Sequence, residues 1–180
     1  GDANGGLNTQ KNAFQFGINI DSTTEPILVD ITGIGPVFPD TIQDFQSMGA
    51  YIGSGDQDNY VKIVVASNDS NPAFELGIEV DGIYSSNMYA APGLDTAVSI
   101  HFLFIVNPAN AMILPYYLLD SLDPVALGSG FIASGSLLNA IRSTEALAIG
   151  VISTSRGSNN QFEASWNNIS VGYSPATNFD

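Results

Sequence analysis

The chain has 180 residues, of which 44% are hydrophobic and 12% charged, a composition typical of a folded domain long enough to bury one core. Its 18 acidic residues outweigh 4 basic ones, and the net charge of −14 disfavours nucleic acid and anionic membranes as partners. The absence of cysteine excludes disulfides, thiol catalysis and thiolate metal sites.

The chain divides into a domain with two short flanking segments. Residues 1–12 show no apolar periodicity, so we expect a flexible arm or linker there. The opening residues lack the basic and apolar regions of a signal peptide, which indicates a mature module cut from a longer protein. We expect a single domain over residues 13–173 and a tail over 174–180.

Alternating apolar and polar residues predict strands along most of this domain, bounded by turns rich in Gly, Pro, Asn and Asp. In the first strand, Phe14, Phe16 and Ile18 are expected to share a buried face, and residues 85–94 are expected to form a loop. The predicted strands cover residues 14–20, 26–31, 45–52, 60–66, 74–80, 98–106, 111–119, 147–152 and 162–171.

Two of these segments carry additional information. Residues 98–106 are apolar on one face and largely apolar on the other, which is typical of a central strand covered on both sides. In residues 162–171 the apolar set changes face between Asn167 and Asn168, which predicts a β-bulge that keeps both apolar sets toward the core. Residues 136–141, capped by Ser134 or Ser136, are the one predicted helix.

These elements predict an all-β fold, a two-sheet antiparallel sandwich of the jelly-roll kind. The acidic turn, residues 53–60, reads Gly-Ser-Gly-Asp-Gln-Asp-Asn-Tyr and precedes a strongly β-prone segment. Asp56, Asp58 and Asn59 offer oxygen ligands in a glycine-flexed turn, which suits calcium, with Asp81 as a further candidate ligand. The alternative is an Asx-turn that holds itself without an ion.

Four sequence stretches resemble concanavalin A-like (laminin G-like) modules, which occur beside malectin-like and polycystic-kidney-disease-like domains in large secreted bacterial proteins. These stretches are the acidic turn, Gly-Ser-Leu-Leu at 135–138, Ala-Ile-Gly-Val-Ile-Ser-Thr at 148–154 and Phe-Glu-Ala-Ser-Trp at 162–166. The resemblance spans residues 13–173 and implies an extracellular or cell-surface module beside other modules. It also implies a carbohydrate ligand and structural calcium. The chain departs from the pattern at Asn167, where the motif has Asp.

A glycosidase on such a sandwich carries paired carboxylates on one strand, and Glu79 and Asp81 have the corresponding spacing. Laminarinase-like enzymes carry a second glutamate shortly afterwards, where this chain has Ile83 and Tyr84. We therefore interpret Glu79 and Asp81 as a solvated face or as calcium ligands. The sequence contains no complete catalytic set.

Tyrosine-bearing segments are the best candidates for stacking on a sugar ring. We assign Tyr84, Tyr89, Asn87 and Gln57 as ligand-binding residues, and Tyr116 and Tyr117 are further stacking candidates. Trp166 is interpreted as a core residue, and His101 as a hydrogen-bonded packing residue without an accompanying Ser, Cys or acid motif.

The predicted function is therefore non-catalytic carbohydrate binding. The alternatives are a peptide- or partner-binding module, or a spacer module, of a bacterial adhesin.

Overall fold

The computed structural model describes residues 5–38, 46–68, 71–142, 145–155 and 162–174. Twelve strands and one helix occupy these ranges. The first six strands are β1 (Ala13–Ile18), β2 (Ile27–Ile34), β3 (Ser47–Gly53), β4 (Tyr60–Asn68), β5 (Asn71–Val80) and β6 (Ile83–Tyr89). They are followed by β7 (Ser99–Asn107), β8 (Met112–Leu119), β9 (Val125–Ala126), β10 (Phe131–Ile132), α1 (Gly135–Ile141), β11 (Leu147–Thr154) and β12 (Trp166–Tyr173).

The strands form two antiparallel sheets. The first sheet has the order β1-β11-β3-β4-β5-β6, and the second has the order β10-β8-β7-β2-β12 with β9 paired to β8. The predicted all-β, two-sheet antiparallel sandwich is confirmed. No helix in the described ranges is both long enough and apolar enough to cross a membrane.

The core lies between the two sheets, and every second residue of β7 contributes a buried side chain to it. Ile100, Phe102 and Phe104 are completely buried, and β7 lies between β8 and β2, as expected for a central strand. The expectation that both faces are covered is wrong, because Ser99, His101 and Ile105 on the other face remain partly exposed. Phe74 of the first sheet stacks on Tyr117 of the second at 4.3 Å between ring centroids and meets Phe102 edge-on at 6.2 Å. These rings join the two sheets through apolar contact.

The predicted bulge is present in β12, where the pairing with β2 shifts between Trp166 and Asn168. The shift turns Ile169 as well as Trp166 toward the core, because one extra residue reverses the side on which the following residues project. Val171 is exposed, however, so the expectation that it faces the core is wrong. β12 lies at the edge of the second sheet, and its C-terminal end, which contains Val171 and Tyr173, is exposed.

The helix also agrees with the prediction, since α1 buries Leu137, Ala140 and Ile141. Ser134 holds the N-cap position in an extended conformation, but its side chain makes no capping hydrogen bond. The short α1 therefore depends on its apolar face for stability, since a two-turn helix is marginal without tertiary packing.

Three expectations about local structure and exposure are wrong, the first of them in part. Residues 85–89 of the loop predicted over 85–94 belong to strand β6, which forms a hairpin with β5, whereas residues 90–94 lie outside any strand. Phe14 and Phe16 are exposed, at 61% and 36%, because β1 is an edge strand with a single neighbour. Tyr116 and Tyr117 are buried and cannot act as exposed stacking platforms.

Candidate functional site

The first sheet has a second face, directed away from the core, which we call the outer face. On β4, Val61 and Ile63 belong to the core, so Tyr60 and Lys62 project from the opposite side. The ladder partners of these residues carry the same face across the sheet, where it presents Tyr51, Glu75, Glu79 and Tyr84. A small apolar cluster, separate from the main core, forms there from Tyr51, Tyr60, Val64, Ala66 and Ile152.

An open cleft of about 270 Å³ lies on the outer face beside the acidic turn. Gly150 pairs with Gln15 on one side and with Tyr51 on the other, so the row has no side chain at its centre. The ring of Tyr51 lies over this gap. The cleft is slightly smaller than most small-ligand sites, which measure about 300–1,000 Å³. The main lining residues are Gln10, Gln15, Tyr51, Asp56, Gln57 and Tyr60.

Tyr51 is the central side chain of the cleft. Its ring lies against Gly150, where a β-carbon would stand only 2.7 Å from a ring carbon. Its hydroxyl donates a hydrogen bond of 2.6 Å to Oε1 of Gln15. Burial disfavours the phenolate and raises the pKa of Tyr51 to about 12, so the ring is a neutral donor throughout the physiological range.

Residues 5–12, predicted as a flexible arm, make hydrogen bonds to this end of the sheet. The side-chain amide of Asn8 donates to Oδ1 of Asp58 at 2.7 Å, and the backbone N–H of Gln10 donates to Oε1 of Gln57 at 2.9 Å. The Gln10 side chain donates to the backbone oxygen of Ser153 at 2.8 Å. The segment therefore forms one wall of the cleft.

Glu79 lies beneath this segment and is fully buried, so its assignment to a solvated face is wrong. Its Oε2 accepts hydrogen bonds from the Tyr60 hydroxyl at 2.8 Å and from the backbone N–H of Gly5 at 3.1 Å. Its Oε1 has no partner among the described residues. Asp81 is exposed in the turn after β5 and lies beside Gly135, so the structure does not present Glu79 and Asp81 as an open pair of carboxylates.

Lys62 lies in the middle of the outer face and contacts side chains on strands β5 and β6. Its ammonium group lies 3.8 Å from Oε1 of Glu75 and 5.1 Å from the centre of the Tyr84 ring. The Tyr84 hydroxyl also donates to Glu75. The lack of a side chain at Gly77 makes room for this arrangement, because a β-carbon there would meet both Lys62 and Tyr84. Lys62 is buried, and its positive charge is compensated by the carboxylate of Glu75 and by the face of the Tyr84 ring.

The acidic turn has the arrangement of an Asx-turn. Asp56 accepts hydrogen bonds from the Ser54 hydroxyl at 2.9 Å, the Asp58 backbone N–H at 2.8 Å and the Asn59 side-chain amide at 3.3 Å. The side-chain oxygen of Asn59 accepts the Asp81 backbone N–H at 3.0 Å. In this arrangement the proposed ligands bind one another or the backbone. Calcium at Asp56, Asp58, Asn59 and Asp81 stays a prediction.

The structure separates the four predicted ligand-binding residues. Gln57 lines the cleft and Tyr84 lies elsewhere on the outer face. Tyr89 pairs with the core residue Phe74 and packs against the main core, and Asn87 projects from the same side of β6 as Tyr89. Sequence reasoning missed Tyr51, Tyr60 and Gln15, although the regular alternation of Tyr60 and Lys62 with valine and isoleucine was a usable signal for a second, polar face.

No protein-family model and no curated protein sequence matches this chain. Solved structures do match it. The legume lectin-like domain from Entamoeba histolytica has a TM-score of 0.54 and 10% identity, covering 96% of this chain and 89% of that chain. Xenopus laevis galectin-Ib has a TM-score of 0.52 and 8% identity, covering 89% of this chain and 99% of that chain. A GH43 protein from Bacillus licheniformis has a TM-score of 0.63 and 10% identity over 82% of this chain, which spans only 27% of that protein. At these identities the matches show the fold, and they confirm the concanavalin A-like jelly-roll class.

Proposed function

We propose that this chain is a carbohydrate-binding module and that the cleft on the outer face is its non-catalytic sugar-binding site. The observation that carries the proposal is the lining of the cleft, where Tyr51 and Tyr60 lie beside the amides of Gln15 and Gln57 and the carboxylate of Asp56. Amides and carboxylates form hydrogen bonds with sugar hydroxyls. Tyr51 and Tyr60 are only 8% and 3% exposed, so they form an apolar wall of the cleft rather than open stacking platforms.

The names of the structural neighbours support this choice of ligand, since a legume lectin-like domain and galectins share the fold. A location outside the cell, a structural calcium ion and neighbouring modules belong to the same proposal, and they rest on the sequence resemblance. A neutral or cationic glycan suits the site better than an acidic one, because the chain carries a net charge of −14.

The proposal is tested by a glycan array probed with the intact chain, with and without calcium, followed by titration calorimetry on the best ligand. Gln15→Ala and Gln57→Ala should each raise the Kd about tenfold, because each removes one hydrogen-bonding group, worth about 1.4 kcal/mol, from the cleft. Asn168→Ala is the matched control, since Asn168 is an exposed amide on β12 of the second sheet and does not line the cleft.

Specific binding that is weakened by the two glutamine variants and unchanged by the control supports the proposal. Silence across neutral and cationic glycans would reject it in favour of a partner-binding or spacer module. Binding that all three variants leave unchanged would place the sugar site elsewhere on the molecule.

A glycoside hydrolase is the second candidate, because a part of two GH43 proteins, 27% and 31% of their length, shares the fold. A reducing-sugar assay on the same glycans separates the two functions. Product release that is lost in Glu79→Gln would replace the binding proposal with a hydrolytic one, and would require residues 5–12 to move away from Glu79.

A further inference from the structure

The outer surface of the second sheet carries a separate cluster formed by Ser99, His101 and Asp30. His101 is hydrogen-bonded as expected, but the expectation that no serine or acid accompanies it is wrong. Ser99 and His101 are two residues apart on β7, so their side chains project from the same side of the strand. Asp30 lies on the neighbouring strand β2, where Thr32 is the direct ladder partner of His101 and Asp30 is its diagonal neighbour.

The three side chains form a directional chain of hydrogen bonds. Nδ1 of His101 lies 2.8 Å from Oδ1 of Asp30, and Nε2 lies 3.3 Å from Oγ of Ser99. An ionised carboxylate only accepts hydrogen bonds, so it fixes the neutral imidazole with its proton on Nδ1. The lone pair of Nε2 then points to the Ser99 hydroxyl. The Thr32 hydroxyl, 3.4 Å from Nδ1, also helps to hold the ring.

The surroundings leave this cluster open to a reagent. The side chains of His101 and Asp30 are 24% and 25% exposed to solvent. Ile34 is the ladder partner of Ser99, so it projects from the same side of the sheet, and it is an exposed apolar side chain. A small apolar acyl or aryl group therefore has a surface to pack on beside the Ser99 hydroxyl.

We propose that Ser99 is an activated nucleophile that accepts acyl groups from activated esters, with His101 as its general base and Asp30 as a positioning residue. In the acylation step, Oγ of Ser99 forms a bond to the ester carbonyl carbon while its proton passes to Nε2 of His101. The C–O bond to the leaving alcohol then breaks, and the alcohol takes the proton from the imidazolium. Water, deprotonated by His101 in the same way, hydrolyses the acyl-serine and releases the carboxylic acid.

The same geometry limits the reaction to esters with good leaving groups. The backbone N–H groups of Val98 and Ser99 both donate to Oδ1 of Asp120 at 3.0 Å and are not available to an oxyanion. An oxyanion donor contributes about 10²–10³ in rate, whereas a positioned general base alone contributes about 10²–10⁴. We therefore expect Ser99 to acylate about 10²–10⁴ times faster than a serine without a base, and aryl esters to react where alkyl esters do not.

The experiment treats the full chain with p-nitrophenyl acetate, follows p-nitrophenolate release, stops samples in acid at early times and maps the acetyl group by peptide mass spectrometry. The expected result is acetylation of Ser99 ahead of every other serine, with an initial burst of p-nitrophenolate. Ser99→Ala should abolish both the burst and the label. Ser121→Ala, an exposed serine outside the cluster, is the control and should change neither.

Variants of Asp30 separate positioning from folding. Asp30→Asn should reduce Ser99 labelling at least tenfold with little change in melting temperature, because an amide can donate to Nδ1 and favour the wrong tautomer. Asp30→Glu should recover part of the labelling. Acetylation confined to lysines and the amino terminus, or a Ser99 rate equal to that of other serines, would overturn the proposal. If Asp30→Asn did not change the labelling of Ser99, Asp30 would have no part in the proposed mechanism.

Discussion

Gly150 lies under the ring of Tyr51, which lines the cleft, so Gly150→Ala tests the packing of the outer face without changing a polar group. A β-carbon at Gly150 would lie closest to the backbone oxygen of Phe14, and 2.7 Å and 2.8 Å from two ring carbons of Tyr51. Neither neighbour yields easily, because Phe14 belongs to the β1–β11 ladder and the Tyr51 hydroxyl is hydrogen-bonded to Gln15.

Overpacking of this kind lowers the free energy of unfolding by about 1–3 kcal/mol. For a domain of this size, each kcal/mol corresponds to about 2–4 °C in melting temperature, so we expect a decrease of about 2–12 °C. Displacement of Tyr51 should also weaken ligand binding in the cleft. Thermal melting and urea denaturation, both followed by circular dichroism, measure the loss of stability.

Gly172→Ala is the matched control. Gly172 also lies in a strand, but a β-carbon there would meet nothing within 4 Å. Its replacement should be neutral or stabilise the fold by up to about 1 kcal/mol, because alanine restricts the unfolded chain more than glycine does. If Gly150→Ala were as stable as Gly172→Ala, the close packing of Tyr51 on β11 would be refuted.

Three further predictions concern the core, the pKa of Tyr51 and the acidic turn. Phe74→Ala should cost about 3–5 kcal/mol in urea denaturation, whereas Ile83→Ala, at a 78% exposed position, should change stability by less than about 0.5 kcal/mol. Because the pKa of Tyr51 is raised to about 12, the unfolded state loses this proton near pH 10 while the folded state keeps it, so stability should fall between pH 10 and 12. Tyr51→Phe should reduce that fall, and an equally steep fall in the variant would contradict the assignment. Asp56→Ala should cost about 1–2 kcal/mol through the lost Asx-turn bonds. Bound calcium should raise the melting temperature of the wild type but not of Asp56→Ala, and no rise at millimolar calcium would exclude the predicted ion.

The strands with regular alternation were predictable from the sequence, because their pattern records which residues meet the core. Strand β7 and the bulge after Trp166 are clear cases. The exposure of Phe14 was not predictable in this way, because the pattern is the same for an edge strand and a central strand. Only the order of strands in the sheet decides whether the apolar face is covered.

The candidate sites depend on contacts between distant parts of the chain, which a local pattern does not record. The buried carboxylate of Glu79 accepts a hydrogen bond from the backbone N–H of Gly5, 74 positions away in the chain. Asp30 reaches His101 across 71 positions because β2 and β7 are adjacent in the second sheet. Gln57, predicted as a ligand-binding residue, lines the cleft, and it belongs to a turn whose composition already indicated function.

The burial of Lys62 affects the long-range electrostatic interactions of the molecule with its partners. Its ammonium charge is matched by Glu75, and Arg142 donates to the backbone oxygens of Pro108 and Ala109. Two of the four basic groups are thus held by the chain's own acceptors, while the net charge remains −14. The field felt by an approaching molecule is therefore dominated by carboxylates, over a Debye length of about 8 Å at physiological ionic strength. Encounters with cationic partners should be fast at low salt and slow down as salt is added, and like-charge repulsion should oppose the close approach of two copies.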